Sequence, residues 1–584
     1  MSGIVSFGAF ELDTIAHQLR RDGEAIRLPP KAVDALELMV SCSGQLVSRN
    51  QLVQSLWGDR IVNEQGLNQL IYLLRQALGR NADGQQWIET VPKRGYRFNG
   101  LIRSVQSTAL ARPATGTIEV AVLPLVNLPA SDRHDLGLAF ADSLITRLAR
   151  ESSLVLRPLA AVQRLDPAGQ DFRQAIRALQ VEQLIEGSIQ CSAGKLLVNL
   201  RLWDRSSSTV NWADRFSASA DQLFELEDRA ADALIKQLLG TRQPVSPTPA
   251  MPRRCADPTA RKHLLRSRLL WNQWNPGAWH QAIREAQLAL EIDPKLAEAH
   301  YWWAVSLIAL AITGQSPPAE TFHRARSLIN EAIRLDPELD IVWEGLGAIA
   351  LFHDWDFAQA RQWLEKAVET NPNAASARNL YALSLAASGN LTAALREAEA
   401  ALAIDPLAGI VGTDLGYLHA FAGNHEKAVD CYRSVLDLYP LFSHARGYLS
   451  MSLSALGQGE AAAAEAMRAI VDAGRDPSVS HELALAWKAA GKLDQAETIL
   501  KSMRTATQSD RLDPYFTLLV AAALGHLDEA IDWLRLAIVK RSRDLCYARV
   551  DPALHPIRSL PEFKTQLEKV LPDLECHKGL HRNE

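Results

Sequence analysis

The sequence predicts a multidomain chain in three parts: a small α+β block, a small α/β module, and an all-α superhelix. Three observations lead there. Two stretches rich in proline and small polar residues interrupt the chain at Arg103–Thr117 and Gly240–Pro258. Proline at that density continues neither a helix nor a central strand. Beyond the second break, glycines recur every 34 residues, at 389, 423, 457, 491 and 525. Ahead of the first break, strand-like runs precede helical periodicity and a closing hairpin. The resulting boundaries are 1–103, a linker at 104–117, 118–240, a Pro-rich linker at 241–257, and 258–584.

Composition narrows the function classes. The chain has 584 residues, 47% hydrophobic and 22% charged, which excludes wholesale disorder and a disulfide mini-scaffold. A formal net charge of -5 gives no global pull toward nucleic acid. The six cysteines, at 42, 191, 255, 431, 546 and 576, form no Cys-x-x-Cys pair and suit a reducing cytoplasm. The N-terminus lacks a basic n-region, and the longest apolar run, Tyr301–Thr313, is shorter than the ~20 residues of a membrane span. The expectation is a soluble cytoplasmic protein. Histidines are dispersed, and no Walker A loop, H-E-x-x-H or G-x-S-x-G occurs. No catalytic, metal or cofactor site is expected, and no enzyme.

The third block is built by repetition. Five residues after each periodic glycine stands an alanine: Ala394, Ala428, Ala462, Ala496 and Ala530. Further small or apolar residues follow four and three positions on. The same triple appears earlier as Ala282/Ala286/Ala289, Ala325/Ile329/Ala332 and Ala360/Leu364/Ala367. Such offsets put three side chains on one helix face. Small residues there let two helices approach, and glycine permits a tight turn between them. Proline five residues after a triple, as at 294, 337, 372, 406 and 440, stops one helix and starts the next. This skeleton resembles the tetratricopeptide repeat. Eight repeats are counted between about 257 and 541, followed by a C-terminal capping helix. The resemblance implies a groove lined by the first helix of each pair, open to a protein, peptide or small-molecule ligand. The register puts Asn379, Thr413, Tyr417, His444, Met451, His481 and Lys488 along it.

In the middle block, Ile118–Leu125 reads as a buried strand and Leu136–Arg150 as a helix. Two strands flank Gly194, and an amphipathic helix covers Asp221–Leu239. The runs AVLPLVNL, FADSLITRLAR, LIEGSIQCSAGKLLVNLRLWD and NWADRF resemble the TolB-like α/β module.

The first block opens with strand-like FGAFELD and EAIRLPP, then helical Pro30–Cys42 and Ser48–Gly58. In Asn63–Leu78, apolar Leu67, Leu70, Ile71, Leu74 and Leu78 define a buried face. The opposite face carries Gln65, Asn68, Gln69, Tyr72 and Arg75. Trp87–Phe98 closes the block as two strands around a Lys93-Arg94-Gly95 turn. The order, together with Leu28, Leu52, Trp57-Gly58, Leu74-Arg75, Leu78-Gly79 and IETVPKRGYRF, resembles the OmpR/PhoB-type winged-helix domain, with a wing of the CadC/ToxR/HilA branch.

That resemblance implies a transcriptional regulator, most often an activator. The helix around Asn63–Leu78 would lie in the major groove of promoter DNA. Gln65, Asn68, Gln69, Tyr72 and Arg75 would face bases or phosphates, with a structural salt bridge the even alternative for Arg75, and Lys93 and Arg94 would touch phosphate or the minor groove from the wing. The loop at Asp59–Asn63 corresponds to the segment that meets RNA polymerase in some relatives. The block departs from the family in charge: 12 Lys and Arg against 10 Asp and Glu. Phosphate contacts supply most nonspecific affinity, so a weak monomer that dimerises is expected. Two alternatives stand beside this reading. One is an interaction scaffold whose winged helix docks a protein. The other is an enzyme of the nucleotide-cyclase kind that TolB-like and repeat regions accompany in some relatives.

Overall fold

In the computed structural model the described residues run, with gaps, from 4 to 104 and from 117 to 240, then continuously over 257–474 and 480–570. They fall into two compact units, Met1–Leu110 and Ala111–Glu584. The linkers expected at 104–117 and 241–257 lie almost wholly outside the described residues.

The first unit holds two antiparallel sheets and two described helices. Strands β1 (Ile4–Phe7), β2 (Phe10–Asp13), β3 (Gln18–Arg21), β4 (Glu24–Ile26) and β8 (Arg103–Ser104) pair in the order β4-β3-β2-β1-β8. A second sheet has the order β5-β7-β6, from Leu46–Ser48, Gly95–Phe98 and Ile88–Val91. Helix α1 is Pro30–Ser41 and α2 is Glu64–Leu78. Leu70, Ile71, Leu74 and Leu78 of α2 are buried, as their spacing requires. They join Leu36, Met39 and Val40 of α1 and a ring cluster of Phe7, Phe10, Trp87 and Phe98. Gly95 shows why the hairpin turn carries glycine. Its φ is +149°, and a Cβ there would lie 2.1 Å from the Val47 carbonyl oxygen of the neighbouring strand. Ser48 ends β5, with Val47 opposite Tyr96, and the next residue, Arg49, is helical, as the helix start read at Ser48 requires. Residues 53–63 are outside the described residues.

The second unit begins with a mixed sheet in the order β11-β9-β12-β13-β14. Its strands are β9 (Ile118–Val122), β11 (Leu154–Leu156), β12 (Gln183–Ser192), β13 (Lys195–Asp204) and β14 (Thr209–Ser219), with short β10 (Val126–Asn127) beside β12. Helices α3 (Leu136–Leu148) and α5 (Leu223–Leu239) share a core with one face of the sheet; α4 (Leu159–Gln163) packs with Ala121 and Leu184 in a separate cluster. The edge strand β14 holds the run NWADRF, which the periodicity did not mark as a strand. Its residues are mostly exposed and include Asp214 and Arg215, so it lacks the alternation that marks a half-buried strand.

Eight antiparallel helix pairs follow, from Pro258–Trp271 with Pro276–Ile292 to Pro514–Leu524 with Leu527–Lys540. The alanine-centred triples are buried in every second helix. The 34-residue glycines all adopt left-handed φ, between 74° and 88°, with nothing within 4 Å of a notional Cβ. Backbone conformation, not space, selects glycine there. Trp355 stands 34 residues before Gly389 and takes φ 60° after a π-helical turn at Ala350–Asp354. Asp-Pro and Asn-Pro pairs start helices: Asp257 accepts from the Thr259 and Ala260 amides with Pro258 in the first turn. Pro561–Val570 packs on the last repeat helix and buries Phe563 and Leu567 as a cap.

The α/β module is not a free bead on a stiff linker; it is sutured to the superhelix. Asn373, 8% exposed, donates to the carbonyls of Ala149 and Leu154, both at 2.9 Å. Its Oδ1 accepts from the Leu156 amide at 3.0 Å. Arg157, 1% exposed, donates from Nε and Nη2 to Leu179 and Gln180 carbonyls within the module. From Nη1 it donates to the Ala403 and Ile404 carbonyls that end a repeat helix. Asn373→Ala leaves three buried backbone groups without partners. It is expected to destabilise the second unit by about 3 kcal/mol in urea denaturation, with early hydrogen exchange at Leu156.

Candidate nucleic-acid interface and superhelix cavity

Helix α2 and the β6–β7 hairpin are held together by Arg75. Its Nε and Nη2 donate to the Ile88 carbonyl at 3.0 and 2.8 Å, and Nη2 also donates to Thr90 Oγ1 at 2.6 Å. Read from sequence as a DNA-facing cation, Arg75 is placed as a tether that fixes the helix against the hairpin. Tyr72, one turn earlier, is 59% exposed, and its hydroxyl accepts from Gln76 Nε2 at 2.8 Å. Gln65, Asn68 and Gln69 stand on α2 seven, four and three residues before Tyr72; their side chains lie outside the described residues. Lys93 and Arg94 also lie outside them, between Val91 and Gly95, the last pair of the hairpin ladder. So does the Asp59–Asn63 loop. Leu73 is half-buried and Tyr96 is core. An ion pair joins Arg97 to Glu89 across the hairpin at 3.8 Å.

The second unit holds a partly open cavity of about 450 Å³. Its wall comes from α3, from the first helices of six successive repeats, and from the Arg543–Tyr547 turn. Asn379, Tyr417 and His444 line it. The other four residues read as groove-lining stand on first helices of repeats but do not line this cavity. Thr413 is fully buried and donates to the Gly409 carbonyl at 2.8 Å. Met451 is half-buried, and Lys488 is exposed. His481 stacks on Phe516 at 4.3 Å and pairs with Glu482.

None of the lining carboxylates was read from sequence; two of them, Glu344 and Asp414, each stand 35 residues from Asn379. A polar residue recurring at that interval in apolar helices was the available signal. Ser376 Oγ donates to Glu344 Oε2 at 3.1 Å, and Asn379 Nδ2 donates to Asp414 Oδ2 at 2.6 Å. Burial pushes the Glu344 carboxyl up to about 7 against the Ser376 hydrogen bond, and Asp414 up to about 6.

The family described as "Transcriptional regulatory protein, C terminal" matches residues 23–98. That described as "Tetratricopeptide repeat" matches residues 355–408 and 413–479. The chain carries an OmpR/PhoB-type winged-helix domain and tetratricopeptide repeats. It is similar to "Transcriptional regulator HilA" of Salmonella typhimurium (strain LT2), 23% identical over 406 residues, covering 69% of this chain and 71% of HilA. It is 26% identical over 223 residues to "Putative adenylate cyclase 3" of Rhizobium meliloti, covering 37% of each chain. With "Transcriptional activator CadC" of Escherichia coli it shares 34% identity over 96 residues, 16% of this chain and 19% of CadC.

Two outcomes follow from these placements. Arg75→Ala is expected to free the Ile88 carbonyl, to cost the first unit about 1–3 kcal/mol, and to speed hydrogen exchange along Ile88–Val91. For Glu344, the folded-state carboxyl titrates above its unfolded value of 4.5. Its contribution is therefore fully present below pH 4.5 and lost as pH rises through about 7. Glu344→Gln is expected to stabilise the unliganded protein on the order of 2 kcal/mol at pH 8 and to change little at pH 4.5, read by thermal melts at both values.

Proposed function

We propose that this protein is a cytoplasmic, sequence-specific DNA-binding transcriptional regulator, acting as an activator and without enzymatic activity of its own. In this reading α2 enters the major groove and the β6–β7 hairpin contacts the backbone. RNA polymerase meets the Asp59–Asn63 loop, and two copies bind together. The observation that carries it is the Arg75 tether. It locks an outward-facing helix, with Tyr72 exposed, against a hairpin whose turn holds Lys93 and Arg94, within a segment matching a transcriptional-regulator family. We read the α/β module as TolB-like. Together with the superhelix it receives a protein, peptide or small-molecule input, for which the cavity offers a place.

The test is genome-wide DNA occupancy of the tagged protein beside an Asn68→Ala/Lys93→Ala/Arg94→Ala variant. Sharp peaks in the parent, lost in the variant, are expected. In titrations, removing Lys93 and Arg94 is expected to lower the slope of log K against log salt by about 2. Asn68→Ala is expected to relax selectivity at one base pair by about 1–3 kcal/mol. Occupancy unchanged by the triple variant sinks the DNA-reading assignment and favours a winged helix that docks a protein.

A further inference from the structure

The cavity in the second unit has a definite electrical sign. Each arginine that lines it already has a carboxylate. Arg150 faces Asp340 at 3.9 Å, Arg261 faces Glu227 at 2.7 Å, Arg268 pairs with Asp142, and Arg543 with Asp544. Three other lining carboxylates, Glu298, Glu344 and Asp414, have no such ion pair among the described residues; Glu298 feels the charge of Arg268 and Asp414 that of Arg543, and Glu344 and Asp414 each take one neutral donor, Ser376 or Asn379. Those two donors are three residues apart on one repeat helix, so they share a face. The two carboxylates, from the helices on either side, are thereby drawn to that same face.

A second observation points to a ligand. Asn379 is 5% exposed and lines the cavity, and its Oδ1 has no hydrogen-bond partner. A buried amide oxygen left unpaired costs free energy, as does a desolvated carboxylate without a cation. Three acceptors therefore stand on one wall, with a single neutral donor on each carboxylate and none on the amide oxygen. A protonated primary amine offers three N–H donors and one positive charge, which matches both deficits. Trp302, Phe352 and Tyr417 add apolar and aromatic surface to the same cavity. Such faces suit the body of a small organic cation.

The size argues for a small molecule. About 450 Å³ is in the range of small-ligand pockets. The chain itself fills part of the groove: Arg543 donates to the Ile312 carbonyl at 3.1 Å, and the Tyr547 ring lies 5.8 Å from that of Tyr417.

We propose that this cavity binds a small molecule bearing a primary ammonium group, held by Glu344, Asp414 and the Asn379 carbonyl oxygen. The inference deepens the reading of this unit as the input-receiving part and rests on it only for its biological consequence.

The test uses the full-length chain with n-hexylamine and 2-phenylethylamine as probes, and 1-hexanol and 2-phenylethanol as body-matched controls. Binding is followed by calorimetry and thermal shift at pH 7.5. At least one amine is expected to bind and raise the melting temperature, with neither alcohol doing so. Glu344→Gln and Asp414→Asn, each checked for unchanged helical circular dichroism, are expected to weaken the amine about tenfold or more. Alcohols binding as well as amines, amine affinity unchanged in both variants, or no binding by either amine each overturns the proposal. The alcohol comparison does not depend on how any variant folds. DNA affinity measured with and without bound amine separates the two claims. Binding that leaves DNA affinity unmoved keeps the site and removes the input reading.

Discussion

Strand β11 is the point on which the second unit turns. It pairs with β9 on one side, and its other edge would offer unpaired amides and carbonyls to solvent. A single asparagine closes part of that edge. Asn373 supplies one acceptor and two donor contacts to the backbone between Ala149 and Leu156, as a neighbouring strand would. Arg157, the next residue along, does the converse and reaches the free carbonyls at the end of a repeat helix. Sheet edge and helix end each lack what the other provides. The seam stands beside the wall that α3 shares with the first helices of the repeats.

The two units manage charge in opposite ways. In the first, a cation is withdrawn from the surface to serve as a mechanical link: Arg75 holds α2 to the hairpin. In the second, the arginines that line the cavity are each matched by a carboxylate, and Glu344 and Asp414 are among the buried carboxylates that take only neutral donors. Unpaired buried charge is costly enough that it marks a place where structure alone does not explain the residue.

Much of this was legible in the chain. Ala-x3-x-x2-Ala spacing and 34-residue glycines write the superhelix directly, because helix packing needs small faces and left-handed turns need glycine. The β6–β7 hairpin was equally plain in IETVPKRGYRF. Arg75 was ambiguous, since a helix-face arginine reads the same whether its partner is a phosphate or a carbonyl 13 residues away. The seam was invisible: Asn373 and Leu156 are 217 residues apart, and no local pattern announces such a bond. The cavity residues were half seen. Periodicity located the inner helix face at Asn379 and Tyr417, but the positions that carry charge depend on which neighbours remain unpaired.

Arrays of helix pairs ordinarily behave as one-dimensional chains, each repeat stabilised by its neighbours and free to fray from the ends. Here the array is closed upon itself. Arg541 donates to the His353 carbonyl and its guanidinium lies over Trp355, the left-handed residue beside the π-turn. Arg543 reaches Ile312, 231 residues back. The last repeats therefore brace the second and third, and the end of the solenoid is no longer its weakest point. Unfolding that begins at the C-terminus must release the interior repeats along with it. A structure assembled from local modules thus acquires the all-or-none character of a globular core, and its folding must await contacts that span most of the array.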